Sequence, residues 1–307
     1  MNRNLYKRFS VGLSFGCKPE KYLKLVNTYH EYIYEIYFSP PLGDLYHTRP
    51  KEAQFQKPSE AVSSVLFEIL HEAAKLDISL NLTLNRHTLN RDRIKAAVDF
   101  ISSRISVNSV TTLKKYGFYV NELLPFVSLT CSYNEGIKTG SDFDKVIEDG
   151  LFNTIVLGNS TIRDFELFNY IKSRGRKVKL LLNNGCSFNC SYFCHPSSHC
   201  KEIFEKNIRN NISVEYLYSQ QSILPFEFHK YYMDSDAVDY FKISCRPSSY
   251  RWLKNCLESY FFNINKPLID KDKKNYHLWA RLGVFTDYYE NLNFDNITKY
   301  KNEIWGE

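Results

Sequence analysis

The sequence has no long hydrophobic run. No apolar stretch approaches the roughly 20 residues of a membrane-crossing helix, which argues against a helical span. No export signal is expected either. The opening "MNRNLYKRFSVGLSFG" has basic residues, but a short alternating run follows them in place of a continuous apolar core, and the segment reads as a strand. Nor is there a basic stripe interleaved with aromatics. Lys and Arg (40) exceed Asp and Glu (34), for a net charge of +6. The positive charges are scattered and read as solvated surface, so DNA is not an expected partner, while RNA stays open. These absences make a cytoplasmic location with reduced thiols the expectation, which disfavours a disulfide knot.

What is present is alternation. Short apolar runs are separated by longer amphipathic segments, the signature of successive βα units, over a length that allows one large α/β domain. Eight strands are expected: Phe9–Phe15, Tyr32–Phe38, Ile78–Leu84, Arg104–Ser109, Phe126–Thr130, Asn153–Gly158, Lys177–Asn183 and Asp239–Ser244. Segments such as "KPEKYLKLVNTYH", "SEAVSSVLFEILHEAAKL", "NRDRIKAAVDFIS" and "IRDFELFNYIKSRG" have helical spacing, and several open on an N-capping Ser, Asn or Asp. "SVTTLKKYG" reads as a shorter helix stopped by its Gly. The pattern predicts a (β/α)8 TIM-like barrel across residues 1–262, with a doubly wound open sheet as the alternative. A cysteine-rich insert, 184–237, separates strands 7 and 8, and residues 263–307 form a C-terminal appendage.

Four of the eight cysteines and two of the eight histidines fall in "NNGCSFNCSYFCHPSSHC", Asn183–Cys200. Cys17, Cys131, Cys186 and Cys245 all follow or end expected strands, as do Asn85, Asn108 and Asn159, so a barrel mouth rich in thiols and amides is expected. Taken singly, Cys17, Cys131 or Cys256 is as readily a buried small hydrophobe. The Cys186–Cys200 group lacks the periodicity that would bury four thiols separately, and Gly185 lets the backbone turn tightly around a ligand, which points to a metal centre. Zinc could draw on Cys190, Cys194, His195, His199 and Cys200, although their order is not a standard finger spacing. A [4Fe–4S] cluster could draw on Cys186, Cys190 and Cys200, with Cys245 or Cys256 as a fourth ligand. Spacing alone leaves both metals open.

Taken in order, "YIYEIYFSP", "HTRP", "LNLTLN", "ISVNSV", "IVLGNSTIRDF", "LLLNNGCSFNC" and "VDYFKISCRPSSYRWLKNCLESYF" resemble peptidase family U-32, the collagenase-like TIM-barrel proteins, over about residues 9 to 262. The resemblance implies a cysteine-bound [4Fe–4S] cluster and oxygen-independent hydroxylation, or a related modification, of a small aromatic or RNA substrate. On that reading the metal ligands are Cys186, Cys190, Cys200 and, as the favoured fourth, Cys245. A partner subunit of the same family is a further expectation. There are departures: Asn184 replaces the Glu of the family's "NEGC", Cys245 the Gly of "KIxGR", and Pro225 or a neighbour stands where larger members have a ligand cysteine. Peptide hydrolysis is the weaker reading, because the chain shows no protease triad or zinc-protease helix. A zinc-stabilised accessory module is the non-redox alternative.

Three cations complete the candidate site. Arg49, in "HTRP", matches the family's Gly–Arg–Pro turn and reads as an anion clamp or a structural ion pair. Lys242 and Arg246 flank the end of the last strand. Lys242 alternates with Phe241 and Ile243, which would aim it into the barrel, where it needs a carboxylate, and Glu35 on strand 2 is the expected partner. His195 and His199 read as ligands, proton donors or exposed loop histidines.

Overall fold

The computed structural model describes residues 5–13, 18–42, 45, 60–158, 161–183, 223, 225–244 and 250–262. Eight parallel strands close into a barrel in sequence order: β1 (Phe9–Gly12), β2 (Ile33–Phe38), β3 (Ser79–Leu84), β4 (Ser109–Thr112), β5 (Ser128–Cys131), β6 (Phe152–Leu157), β7 (Lys177–Leu181) and β8 (Tyr240–Ile243). Closure is made by β8 against β1, with Ser10 opposite Lys242. This is the (β/α)8 barrel expected from the alternation, and the open sheet is excluded.

Helices α1 (Pro19–Tyr29), α2 (Glu60–Lys75), α3 (Arg91–Ser102), α4 (Lys114–Leu123), α5 (Gly140–Ile147) and α6 (Phe165–Ser173) follow β1 to β6 in turn, and α7 (Tyr250–Phe262) follows β8. Their starts are chemically marked. Asn90 caps α3 by accepting from Arg93 N, and Asp164 caps α6 by accepting from Leu167 N. At α5, Thr139 and Asp142 form a reciprocal capping box. Between β7 and β8, a helical turn at Pro225–Glu227 runs into a π-helical turn at Phe228–Tyr232.

Two expectations around β4 are corrected. Arg104 and Ile105 do not begin a strand, because their N–H groups bond back to Ile101 O and finish α3. "SVTT" is therefore the strand itself, and the following helix runs straight through Gly117. That glycine is not a stop signal: a Cβ there would meet the Phe152 ring at 3.2 Å, so its role is close helix–strand packing.

The apolar core lies outside the barrel wall. Phe9, Val11, Ile36, Phe38, Leu80, Leu82, Val178, Leu180, Phe241 and Ile243 alternate along the strands and pack beneath the helices. Phe9 and Phe241 meet Phe228 at centroid distances of 5.7 and 4.7 Å, and Phe9 meets Phe261 of α7 at 4.7 Å. The residues between these positions face inward, and most of them are polar.

Candidate functional site

TIM barrels usually fill their interior with branched apolar side chains. Here the lumen is hydrogen-bonded. Glu35 on β2 and Lys179 on β7 come from non-adjacent strands and meet across it, with Nζ 2.6 Å from Oε1. Ser10 Oγ donates to the same oxygen at 2.6 Å. On the opposite wall Asn81 donates to Ser109 Oγ (2.6 Å) and accepts from Thr111 Oγ1 (2.8 Å). Towards the N-terminal rim, Tyr34 and Tyr240 stack at 4.1 Å, with Lys177 and Lys179 within 5.9 Å of their rings. Burial pushes both phenols up, so they stay protonated.

Lys242 lies near the C-terminal end of the lumen, the end at which this fold places chemistry. Its Nζ sits 3.9 Å from the centre of the Tyr37 ring, a cation–π contact, and Tyr37 donates its hydroxyl to Ile243 O at 2.7 Å. The expected Lys242–Glu35 pair is not formed. Lys179 reaches Glu35 across the lumen instead, while Lys242, beside Ser10 in register, meets Tyr37 one pleat further along β2.

At this mouth the amides behave unequally. Asn85, just past β3, donates to Ser132 Oγ (2.9 Å), and Asn134 donates back to Asn85 O (3.0 Å), tying the loops after β3 and β5 together. Asn108 is at the other end. It precedes β4, and its side chain accepts from Leu80 N, so it guides the strand entry and is no mouth residue. Cys131 does end β5, but it faces the helix-side core, and burial pushes its thiol well up, which makes it a poor ligand. For this cysteine the buried-hydrophobe reading holds.

Arg49, Arg246, Cys17, Cys186, Cys190, Cys194, Cys200, Cys245, His195, His199 and Asn159 lie outside the described residues, as does 263–307. The roots of the cysteine segment are described. Ile223 N donates to Leu182 O (2.8 Å), which brings Ile223 against the end of β7. Ser244 N donates to Asn183 Oδ1 (2.7 Å) and its hydroxyl to Asn183 O, which joins the ends of β7 and β8. Cys256 on α7 lies at the same junction, with Asn183 Nδ2 3.8 Å from its Sγ. Cys186 is three residues along the chain from Asn183, and Cys245 directly follows Ser244.

The returning segment is clamped to the mouth. Arg163, between β6 and α6, makes a two-pronged ion pair with buried Glu227 (2.7 and 2.8 Å), and Tyr232 donates to Ile162 O (2.9 Å). Sequence reading missed this pair and the Lys179–Glu35 pair. The visible signals were a Lys on β7 two residues from another Lys, and a lone Glu within the apolar "YIYEIYF". Among the described residues, no group of three or more His, Cys, Asp or Glu could hold a metal ion, and no helix is long and apolar enough to cross a membrane.

No protein-family model matches the chain, and no curated protein matches it. Among solved structures it is similar to a U32 peptidase, with 14% identity, a TM-score of 0.45 and coverage of 78% of this chain and 92% of that one. It is also similar to an enolase of the mandelate racemase subgroup from Agrobacterium tumefaciens, at 12% identity and a TM-score of 0.40, over 82% of this chain and 57% of that one. A tryptophan synthase complex from Pyrococcus furiosus gives 11% identity and a TM-score of 0.42, over 94% of this chain and 99% of that one. Likeness at this level assigns no role to any residue.

Proposed function

We propose that the chain is a TIM-barrel enzyme, or the subunit of one, that works at the C-terminal mouth with a [4Fe–4S] cluster held by Cys186, Cys190, Cys200 and Cys245. The proposed reaction class is oxygen-independent hydroxylation, or a related modification, of a small aromatic or RNA substrate, as the U-32 resemblance implies. The observation that supports it is the junction of Asn183, Ser244 and Cys256. In that junction the described residues that precede Cys186 and Cys245 in the chain, Asn183 and Ser244, are hydrogen-bonded to each other. Thiolates from distant parts of the sequence suit a cluster of this kind. When bound, it would supply one-electron transfer, or an open iron position if three thiolates hold it. The chain's own cations have a separate part: Lys242, with Arg49 and Arg246, orients an anionic group by charge-assisted bonds.

Anaerobic purification with iron, acid-labile sulfide and zinc analysis tests this. Stoichiometric iron and sulfide are expected, lost on Cys→Ala changes at Cys186, Cys190 or Cys200. Colourless protein with stoichiometric zinc would overturn the proposal in favour of an accessory module. Arg49→Ala is expected to keep its iron and lose most substrate binding. Loss of iron in that variant would make Arg49 structural.

A further inference from the structure

Tyr37 reaches across a strand. In the closed sheet β1 lies between β2 and β8, so Tyr37 and Ile243 are two strands apart, about 9–10 Å from one backbone to the other. The Tyr37 hydroxyl nevertheless donates to Ile243 O at 2.7 Å, and its ring meets Lys242 Nζ at 3.9 Å. The intervening strand leaves room for this. Gly12 is the register partner of Tyr37. Phe9 and Val11 belong to the core outside the wall, and Ser10 bonds Glu35 inside it, so the pleat turns position 12 towards the lumen. With no side chain at that position, the inner side of β1 is open to the ring.

The contact bears on what Lys242 can do. Lysine carries its ammonium on a flexible four-carbon stem, and a mobile charge orients nothing. Tyr37 is itself fixed. It is buried, and its hydroxyl is bonded to the backbone of β8, the strand that carries Lys242. The electron-rich face of a ring so anchored attracts the ammonium. It also holds the ammonium without itself cancelling the charge. Lys179 shows the contrast, because its hold is a carboxylate, Glu35.

We infer that Tyr37 is a positioning residue: lying over Gly12, its ring fixes the Lys242 ammonium at the C-terminal end of the lumen, the end at which this fold places chemistry. The use of that charge, to orient an anionic group at the mouth, rests on the proposed function. The positioning itself needs neither the cluster nor a substrate.

NMR of the full chain with lysine labelled at Cε tests it, because nuclei over the face of an aromatic ring are shifted upfield. The Lys242 signal is identified by its loss in Lys242→Met. In the parent it is expected upfield of its position in the urea-unfolded chain. Tyr37→Phe, which keeps the ring, is expected to retain most of that shift, and Tyr37→Leu to lose it. Gly12→Val is expected to lose it as well, although Tyr37 and Lys242 are both still present. A parent signal at the unfolded position would overturn the inference. So would an unchanged signal in Tyr37→Leu or Gly12→Val, which would show that another contact holds Lys242, or a loss in Tyr37→Phe as complete as in Tyr37→Leu. Iron and sulfide measured on the same samples keep the two proposals apart. An upfield signal in iron-free protein overturns only the metal assignment, and an absent upfield signal in iron-loaded protein overturns only the positioning.

Discussion

Glu35 and Lys179 show how a charge is tolerated inside a barrel. Each is buried, and each is the other's ion-pair partner across the lumen. Glu35→Leu would leave an ammonium buried and uncompensated, a loss of about 3–5 kcal/mol, whereas the double change Glu35→Leu with Lys179→Met removes both charges and costs far less. Urea denaturation of the three variants and the parent measures the difference. His229 gives a pH dependence of known sign. Its Nε2 lies 2.6 Å from Tyr260 O, and since a carbonyl only accepts, the ring nitrogen donates. Burial holds the imidazole below its ordinary value of 6.5, and the Tyr260 carbonyl opposes that shift only in part. The folded state thus favours the neutral ring. Its contribution to stability is full above pH 6.5 and is lost as pH falls through the lower folded value. Thermal melts are expected to show that loss, reduced in His229→Gln. Cys131 is expected to resist alkylation at mildly alkaline pH until the protein unfolds, because its buried thiol stays protonated.

At the scale of the element, helix starts and glycines separate local from non-local causes. The box at α5 is local: Thr139 Oγ1 accepts from Asp142 N (3.2 Å), while the Asp142 carboxylate accepts from Thr139 N (3.0 Å). Thr139→Ala is expected to cost about 1 kcal/mol, read by chemical denaturation. The hydrogen bond from Thr139 also holds the Asp142 carboxyl below its usual range, so this contribution fades on acidification through the carboxylate range. Gly150 and Gly175 have φ of +74° and +70° and do end helical segments, as a sequence pattern suggests. Gly117 has the same identity and another cause, a Phe152 ring brought from β6. Strand β4 was displaced for a similar reason. "RISVNS" alternates well enough to be a strand, but α3 takes its first residues and β3 takes Asn108, through bonds that pattern alone does not contain.

At the scale of the whole molecule, the Arg163–Glu227 clamp fastens the segment that returns from the cysteine-rich stretch. Arg163→Ala is expected to destabilise the fold by about 3 kcal/mol or more and to raise hydrogen exchange across Pro225–Tyr232 before the strands respond. Unchanged exchange there would remove the clamp's role. The eight βα units were legible in the chain and made a barrel the expected fold, but closure was not: it is the pairing of β8 with β1 that excludes the open sheet. The sequence by itself determined the number and order of the βα units, most strand positions to within two or three residues, and the place of the cysteine segment between β7 and β8. It also put Lys242 at the end of the last strand. Only the tertiary structure decided which partner each lumen charge takes. Glu35 lies 144 positions from Lys179, and no spacing rule links residues on β2 and β7 until the sheet has closed. Closure likewise decided that Cys131 faces the helices and that Asn108 lies at the far end of its strand. Alternation tells which residues share a face of one strand, but register and shear, set by all eight strands together, decide which side chains meet.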